Sequence, residues 1–183
     1  MIQKKTTENN LEKEFNEILK ELKYKVRSKN DIIIKKLFDK KFEYLIKREL
    51  NEDTGHTLFY NLMKIVMIRK YKLDHDYFKE LFSKSIKEYP YKLASLSEYL
   101  YVLKKKDYCD LLTEALYKHD NIPSITPTII GTIGELGCTS CYNKLKEIAV
   151  SKETEAPIIN FAAKYALKEL AKKSKHTIST EMR

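Results

Sequence analysis

Apolar side chains recur every three or four residues through most of the chain, a spacing that places them on one face of an α-helix. The first apolar stripe consists of Leu11, Phe15, Ile18, Leu19, Leu22 and Val26. Lysine and glutamate occupy the intervening positions, so the opposite face is charged. The pattern predicts an amphipathic helix over residues 9–27 that packs its apolar stripe against a neighbour.

The next two segments continue the helical pattern. Residues 30–50 carry apolar side chains at helical spacing, as one helix or as two broken near Asp39, and the polar run up to Gly55 ends the segment. Residues 56–71 contain the most apolar stretch of the sequence. A helix that is apolar on most sides is contacted by neighbours on both flanks, so we expect this one to be central.

Helix start and stop signals divide the rest of the chain. Asp74 is placed to cap a helix that ends before Pro90, and Pro90 suits the first turn of the next helix. Asp107 opens another, and residues 119–124 form a linker before Pro127. The pattern then predicts helices over residues 126–136, 139–150 and 155–172, and a frayed tail over residues 173–183. Eight to ten helices joined by short connections are typical of antiparallel helical pairs.

Length and composition fit one all-α domain over residues 1–172. Four glycines and four prolines in 183 residues are too few for a turn-rich β architecture. Hydrophobic residues make up 43% and charged residues 33%, a balance typical of an ordered helical protein. No apolar run is long enough to cross a bilayer, so we predict no membrane partner. Because no apolar segment follows the basic amino terminus, we expect a cytoplasmic protein.

Two consecutive motifs near the carboxy terminus resemble HEAT repeats. The first is Ile133-Gly134-Glu135-Leu136-Gly137, followed by Cys141, Leu145 and Ile148. The second is the alanine cluster Ala162, Ala163 and Ala166, whose small side chains let neighbouring helices approach closely. The resemblance is clearest from Thr126 to Leu170; Asn160 departs from it because the family often has arginine there.

The resemblance implies an architecture and a mode of action. HEAT-like proteins are right-handed solenoids of antiparallel helical hairpins, each of which buries one face only when a neighbour stacks on it. The helix at residues 9–27 would be the amino-terminal cap. The concave surface of such a solenoid usually binds a protein or a nucleic acid. The resemblance therefore implies a non-enzymatic protein-binding module of the adaptor, assembly-subunit or toxin-neutralising type, with its oligomeric state left open.

The net charge of +9 suggests an alternative, a basic helical-repeat protein that binds nucleic acid. Lysines lie along the faces of the first three predicted helices, and tyrosines are interleaved among them, where rings could stack on bases. Only four of the 35 basic residues are arginines, however, and the planar arginine fork is the usual reader of phosphate and guanine. We therefore interpret most of the charge as a solvated surface.

Two sequence patterns are candidates for chemical sites, one of cysteines and one of histidines and aspartates. Cys138-Thr139-Ser140-Cys141 is a C-x-x-C at a helix start, where a thiolate is favoured. The strand context of a redox motif is missing, and Cys109 is distant in sequence, so we assign Cys141 to the core and Cys138 to a turn.

The other pattern consists of His56, His75-Asp76 and Asp120, which follow the order seen in HD-type metal phosphohydrolases. Helix capping already explains an aspartate near residue 75, so this hypothesis ranks third. The sequence contains no phosphate-binding glycine loop, nucleophile elbow or H-E-x-x-H motif. We predict no enzyme activity, no catalytic residue, no metal ligand and no cofactor.

Candidate partner-binding residues follow from the expected hairpin stack. Second helices of hairpins usually line the inner face, which would expose Lys144 and Lys146 there. Tyrosine is enriched at interface hot spots, so tyrosines that face solvent are candidate anchors. The predicted set is Tyr101, Lys104, Lys105, Lys106, Tyr108, Tyr117, Lys144 and Lys146.

Overall fold

The computed structural model describes residues 13–17, 43–53, 55–68, 72–151 and 156–181. These residues form helices and the turns between them, with no strand among them, which confirms the all-α class predicted from the sequence. The chain divides into two compact units, residues 1–71 and residues 72–183. The sequence, in contrast, predicts a single domain over residues 1–172.

The amino-terminal unit contains a helical segment at residues 13–17, α1 (Glu43–Asn51) and α2 (His56–Ile68). Phe15 is buried, as the first apolar stripe predicts, and the rest of that stripe lies outside the described residues. Helix α1 packs against α2, and Gly55 takes a positive φ of 76° in the break between them. Most side chains of α2 are buried, and the exposed ones, His56, Thr57 and Tyr60, lie on one side of the helix.

The carboxy-terminal unit contains six α-helices in its described part. They are α3 (His75–Lys87), α4 (Leu93–Val102), α5 (Cys109–Lys118), α6 (Thr126–Leu136), α7 (Tyr142–Val150) and α8 (Pro157–Glu181). Short 3₁₀ helices at Pro90–Lys92, Lys106–Tyr108 and Thr139–Cys141 lead into α4, α5 and α7. Helix α8 continues well past Lys172, where the sequence predicts the start of a frayed tail.

The predicted boundary residues perform the expected tasks. The Asp74 carboxylate accepts hydrogen bonds from the backbone N–H groups of Asp76 and Tyr77, both at 3.1 Å, and so caps α3. Gly137 ends α6 with a φ of 81°, and its N–H donates to the carbonyl oxygen of Ile133. That left-handed conformation favours glycine at the end of a helix. The bounds of α6 are those predicted from the sequence.

Packing in this unit joins neighbours and also helices two apart in the chain. Helix α3 contacts α4 and α5, α5 contacts α6, α4 contacts α6, and α8 contacts both α6 and α7. At the centre of the last contact, a Cβ added to Gly134 would lie 2.8 Å from Ala166 Cα, so α6 and α8 approach closely there. Gly134 and Ala166 therefore act as packing residues.

No helix in the described part of the chain combines the length and the apolar character needed to span a membrane.

Candidate protein-interaction surface

The predicted partner-binding residues do not form one site. Tyr101 and the lysines 104–106 are exposed around the connection from α4 to α5. Tyr117 is exposed near the other end of α5, a helix of ten residues that spans about 15 Å. Lysines 104–106 and Tyr117 are therefore separated by about the length of α5.

Tyr108 corrects the sequence prediction, because it is only 5% exposed. Its hydroxyl shares a 2.7 Å hydrogen bond with His75 Nδ1, and its ring lies edge-on to Phe78 at 5.0 Å between centroids. Burial, followed by the charge of Asp107, raises the pKa of the Tyr108 hydroxyl. Tyr108 is a core residue and is not available as an anchor for a partner.

Lys144 also differs from the prediction, because its charge is paired within the fold. Its Nζ lies 2.8 Å from Asp120 Oδ2 and 3.1 Å from Glu147 Oε1, and 5.6 Å from the centre of the Tyr117 ring. The hydrogen bond to Asp120 is the main cause of the raised pKa of Lys144. We call Tyr117, Asp120, Lys144 and Glu147 the Tyr117 cluster.

Lys146 is exposed, as predicted, and its Nζ lies 4.7 Å from the centre of the Tyr142 ring on the same helix. The contact is a cation–π interaction at an exposed position. Much of the lysine-rich surface expected on the first three helices falls outside the described residues. Lys144 is thus paired with carboxylates of the fold, whereas Lys146 is exposed.

The histidine and aspartate pattern takes a structural form. His75 begins α3 and hydrogen-bonds with Tyr108, and Asp76 follows the capping residue Asp74. His56 begins α2, in the other unit. Within the described residues, no group of three or more His, Cys, Asp or Glu side chains is arranged to hold a metal ion. The HD-type hypothesis gains no support from this part of the chain.

Two of the three cysteines form a disulfide that the sequence pattern did not predict. Cys109, at the start of α5, forms a disulfide with Cys138, in the turn after α6, across a Cα–Cα distance of 5.4 Å. Cys141 is a free, buried thiol 3.0 Å from Thr113 Oγ1, and burial raises its pKa. The core assignment of Cys141 is confirmed. Cys138 does lie in a turn, and there it is bonded to Cys109, which is 29 residues away in the sequence.

Among the described residues, the most exposed apolar side chains lie where α7 meets α8, and the sequence did not predict any of them as partner-binding residues. Val150 is 78% exposed and Phe161 is 72% exposed. Ile158 and Tyr165 continue this surface along α8. Val150 and Phe161 line an open groove of about 690 Å³, which we call the α7–α8 groove. Its lining residues are Ala149, Val150, Ser151, Pro157, Asn160, Phe161 and Lys164.

Charged groups flank the apolar side chains of α8. Lys164 lines the groove, and Lys168 is exposed one turn later. The Tyr165 hydroxyl donates a 3.0 Å hydrogen bond to Glu135 Oε1, which is the main cause of its raised pKa. A salt bridge of 2.5 Å joins Lys172 to Glu169. The exposed face of α8, which comprises Ile158, Phe161, Lys164, Tyr165 and Lys168, is therefore apolar near its start and basic farther along.

The sequence does contain a signal for this surface. Helix α8 carries two apolar stripes on opposite sides. The buried stripe is Ile159, Ala163, Ala166 and Leu170, and the other is Ile158, Phe161 and Tyr165. The second stripe stays exposed, although α8 packs on both α6 and α7. Ala163 and Ala166, two of the alanines that carry the resemblance to HEAT repeats, belong to the buried stripe.

Comparison of the chain with family models, with curated proteins and with solved structures finds no match.

Proposed function

We propose that this protein is a non-enzymatic protein-binding module built as a short solenoid of HEAT-like helical hairpins. Contacts between helices two apart, α4 with α6 and α6 with α8, support the solenoid, because stacked hairpins bring equivalent helices together. The close approach at Gly134 and Ala166 supports the resemblance that suggested it. A right-handed, antiparallel arrangement like that of HEAT proteins is part of this proposal.

The apolar α7–α8 groove is the observation that carries the binding function. Contiguous apolar surface on a folded domain is exposed at a cost in solvation and commonly marks an interaction site. Val150 and Phe161 are both more exposed than any other large apolar side chain in the described residues. An adaptor, an assembly subunit and a toxin-neutralising protein would each use such a surface.

Affinity capture of the full-length chain from its source cells tests the proposed function. We expect one protein to co-purify in near-equimolar amount after nuclease treatment, and to remain bound when the salt is raised from about 0.1 M to about 0.5 M. A packed interface changes little over that range, whereas phosphate contacts weaken steeply. Recovery of nucleic acid alone, with binding to a random-sequence DNA duplex that disappears at the higher salt, would contradict the proposal.

A cytoplasmic location is also part of the proposal, and the cysteines provide its test. Cytosolic thiols are kept reduced, whereas disulfides persist in oxidising compartments. If the protein resides in the cytoplasm, acid quenching of cells followed by alkylation in denaturant should label Cys109 and also Cys138, which is buried in the folded chain. Recovery of the Cys109–Cys138 disulfide from alkylated cells would instead place the protein in an oxidising compartment.

A further inference from the structure

We infer that the α7–α8 groove and the exposed face of α8 bind an amphipathic helix of another protein, one whose apolar side chains are flanked by carboxylates. This inference rests on the proposed function and specifies its surface and the chemistry of the partner. Three properties of the surface lead to it: its concave shape, the spacing of its apolar side chains and its charge.

Shape and spacing both fit a helical partner. Ile158, Phe161 and Tyr165 are three and four residues apart, so they form a ridge along one side of α8. A second helix packs on such a ridge with its own apolar side chains in the adjoining groove. Val150, at the end of α7, lines the same groove as Phe161 and gives an incoming apolar side chain a second contact.

Charge selects an acidic partner. Of the four lysines from Pro157 to Lys173, two act within the fold, because Lys172 pairs with Glu169 and Lys173 donates to carbonyl oxygens of α6. Lys164 and Lys168 lie on the same face as Phe161, where carboxylates of a bound helix would meet them. A second copy of the chain, with its net charge of +9, would bring lysines against lysines. Electrostatics therefore favours a different, acidic protein over self-association.

The same residue types could also attract an anionic membrane surface, since basic and aromatic side chains alternate on interfacial helices. Concavity favours the protein. A membrane presents a broad plane, whereas the α7–α8 groove offers about 690 Å³ beside Val150 and Phe161 that apolar side chains of a partner would fill. The binding of anionic vesicles is accordingly one of the outcomes that would overturn the inference.

A display library of helical peptides provides a probe that needs no known partner. Peptides of about 18 residues, with apolar side chains at helical spacing and variable residues elsewhere, would be selected on the full-length chain. Enriched peptides would be measured against the wild type, Phe161→Ser, Lys164→Glu/Lys168→Glu and the control Tyr117→Ser. All substituted side chains are exposed, so each variant is expected to fold, and circular dichroism would check this.

Enrichment of acidic peptides is the expected result. Phe161→Ser should weaken their binding at least tenfold, as for a hot-spot aromatic, and the double lysine reversal should weaken it severalfold. Tyr117→Ser should leave it unchanged. Selection of basic or neutral peptides, or binding equal in the wild type and Phe161→Ser, would overturn the inference. So would Phe161-dependent binding to phosphatidylserine vesicles, or a Phe161-dependent dimer in sedimentation equilibrium.

The affinity capture described above separates failure of this inference from failure of the proposed function. If Phe161→Ser and the lysine reversal still capture the protein that the wild type captures, the surface is wrong and the binding function stands. If the wild type captures no protein and selects no peptide, both proposals fail.

Discussion

Two faces of α8 have similar hydrophobicity and opposite surroundings. Ile159 is fully buried, while its neighbour Ile158 is 57% exposed. The buried face meets α6 at Gly134, where the absence of a side chain lets the helices touch. The exposed face meets solvent beside the α7–α8 groove. The neighbour available to each face, and not its apolar content, therefore decides which face of α8 is buried.

Polar contacts fix which face of α8 points outward. The Asn160 side-chain amide donates to the carbonyl oxygens of Ile148 and Ser151, at 2.8 and 2.9 Å, and so satisfies the end of α7. Lys173 Nζ donates to the carbonyl oxygens of Gly134 and Glu135 at the end of α6. Two caps, more than three turns apart on α8, set its rotation, and that rotation keeps Phe161 exposed.

The two neighbouring isoleucines give the largest predicted difference. Ile159→Ala removes a fully buried side chain and should lower the free energy of unfolding by about 3 to 4 kcal/mol. Ile158→Ala changes a mostly exposed side chain and should alter it by less than about 0.5 kcal/mol, while weakening peptide binding. Urea denaturation followed by circular dichroism measures both. Equal losses in the two variants would show that the exposed face also supports the fold.

The disulfide offers a second way to separate the faces. Cys109→Ala/Cys138→Ala opens a link between residues 29 apart in sequence and should lower the free energy of unfolding by about 3 kcal/mol. Peptide binding at the α7–α8 groove should persist while the variant is folded, because the bond lies between α5 and the turn after α6. The matched control is the wild type in excess dithiothreitol, which should lose similar stability. A loss of binding without a loss of stability would contradict this separation.

Alanine substitutions at two glycines of α6 should change the stability of the fold in opposite directions. At Gly134 an added Cβ meets Ala166 at 2.8 Å, so Gly134→Ala should destabilise the fold by about 1 to 2 kcal/mol despite alanine's higher helix propensity. At Gly131 nothing lies within 4 Å of an added Cβ. Gly131→Ala should therefore stabilise the helix by about 0.5 to 1 kcal/mol. If thermal denaturation shows both variants to be more stable, α6 and α8 are not in close contact there.

Helix boundaries could be predicted from the sequence, but contacts between helices could not. Helix boundaries follow from local chemistry, so Asp74, Gly137 and the start of α6 could be predicted from neighbouring residues alone. The disulfide could not, because Cys109 meets Cys138 only when α5 packs on α6. The end of α8 was missed for a similar reason. Lys173 has no local signal to extend a helix, and its contacts are with the carbonyl oxygens of α6.

Predicting the candidate surface required knowing which groups face each other. Tyr108 and Tyr117 have the same local character in sequence, yet one is buried against Phe78 and the other faces solvent. Composition gives every lysine the same weight, although Lys144 is paired with carboxylates and Lys164 lines an apolar groove. The apolar spacing of α8 was visible, but only tertiary packing assigns one stripe to the core and leaves the other exposed.

The smallest predicted effect concerns the Tyr117 cluster, where charge is used within the fold. A double-mutant cycle with Lys144→Met and Asp120→Asn should give a coupling energy of about 0.5 to 1 kcal/mol, as for a partly exposed ion pair. The pKa of Lys144 is raised, so this contribution is fully present below the unfolded lysine pKa of about 10.4 and is lost as the pH rises through the higher folded value. The coupling should thus be the same at pH 7 and pH 9.

Neither substitution should change peptide binding at the α7–α8 groove, because Lys144 is paired with Asp120 and Glu147 within the Tyr117 cluster. Tyr117 and Phe161 are both exposed aromatic side chains, but a cation already covers the first, and the second borders an apolar groove. If Lys144→Met weakens the selected peptides as much as Phe161→Ser does, the partner contacts both surfaces. The division between internal pairing and recognition would then fail, and the interface would extend from α5 to α8.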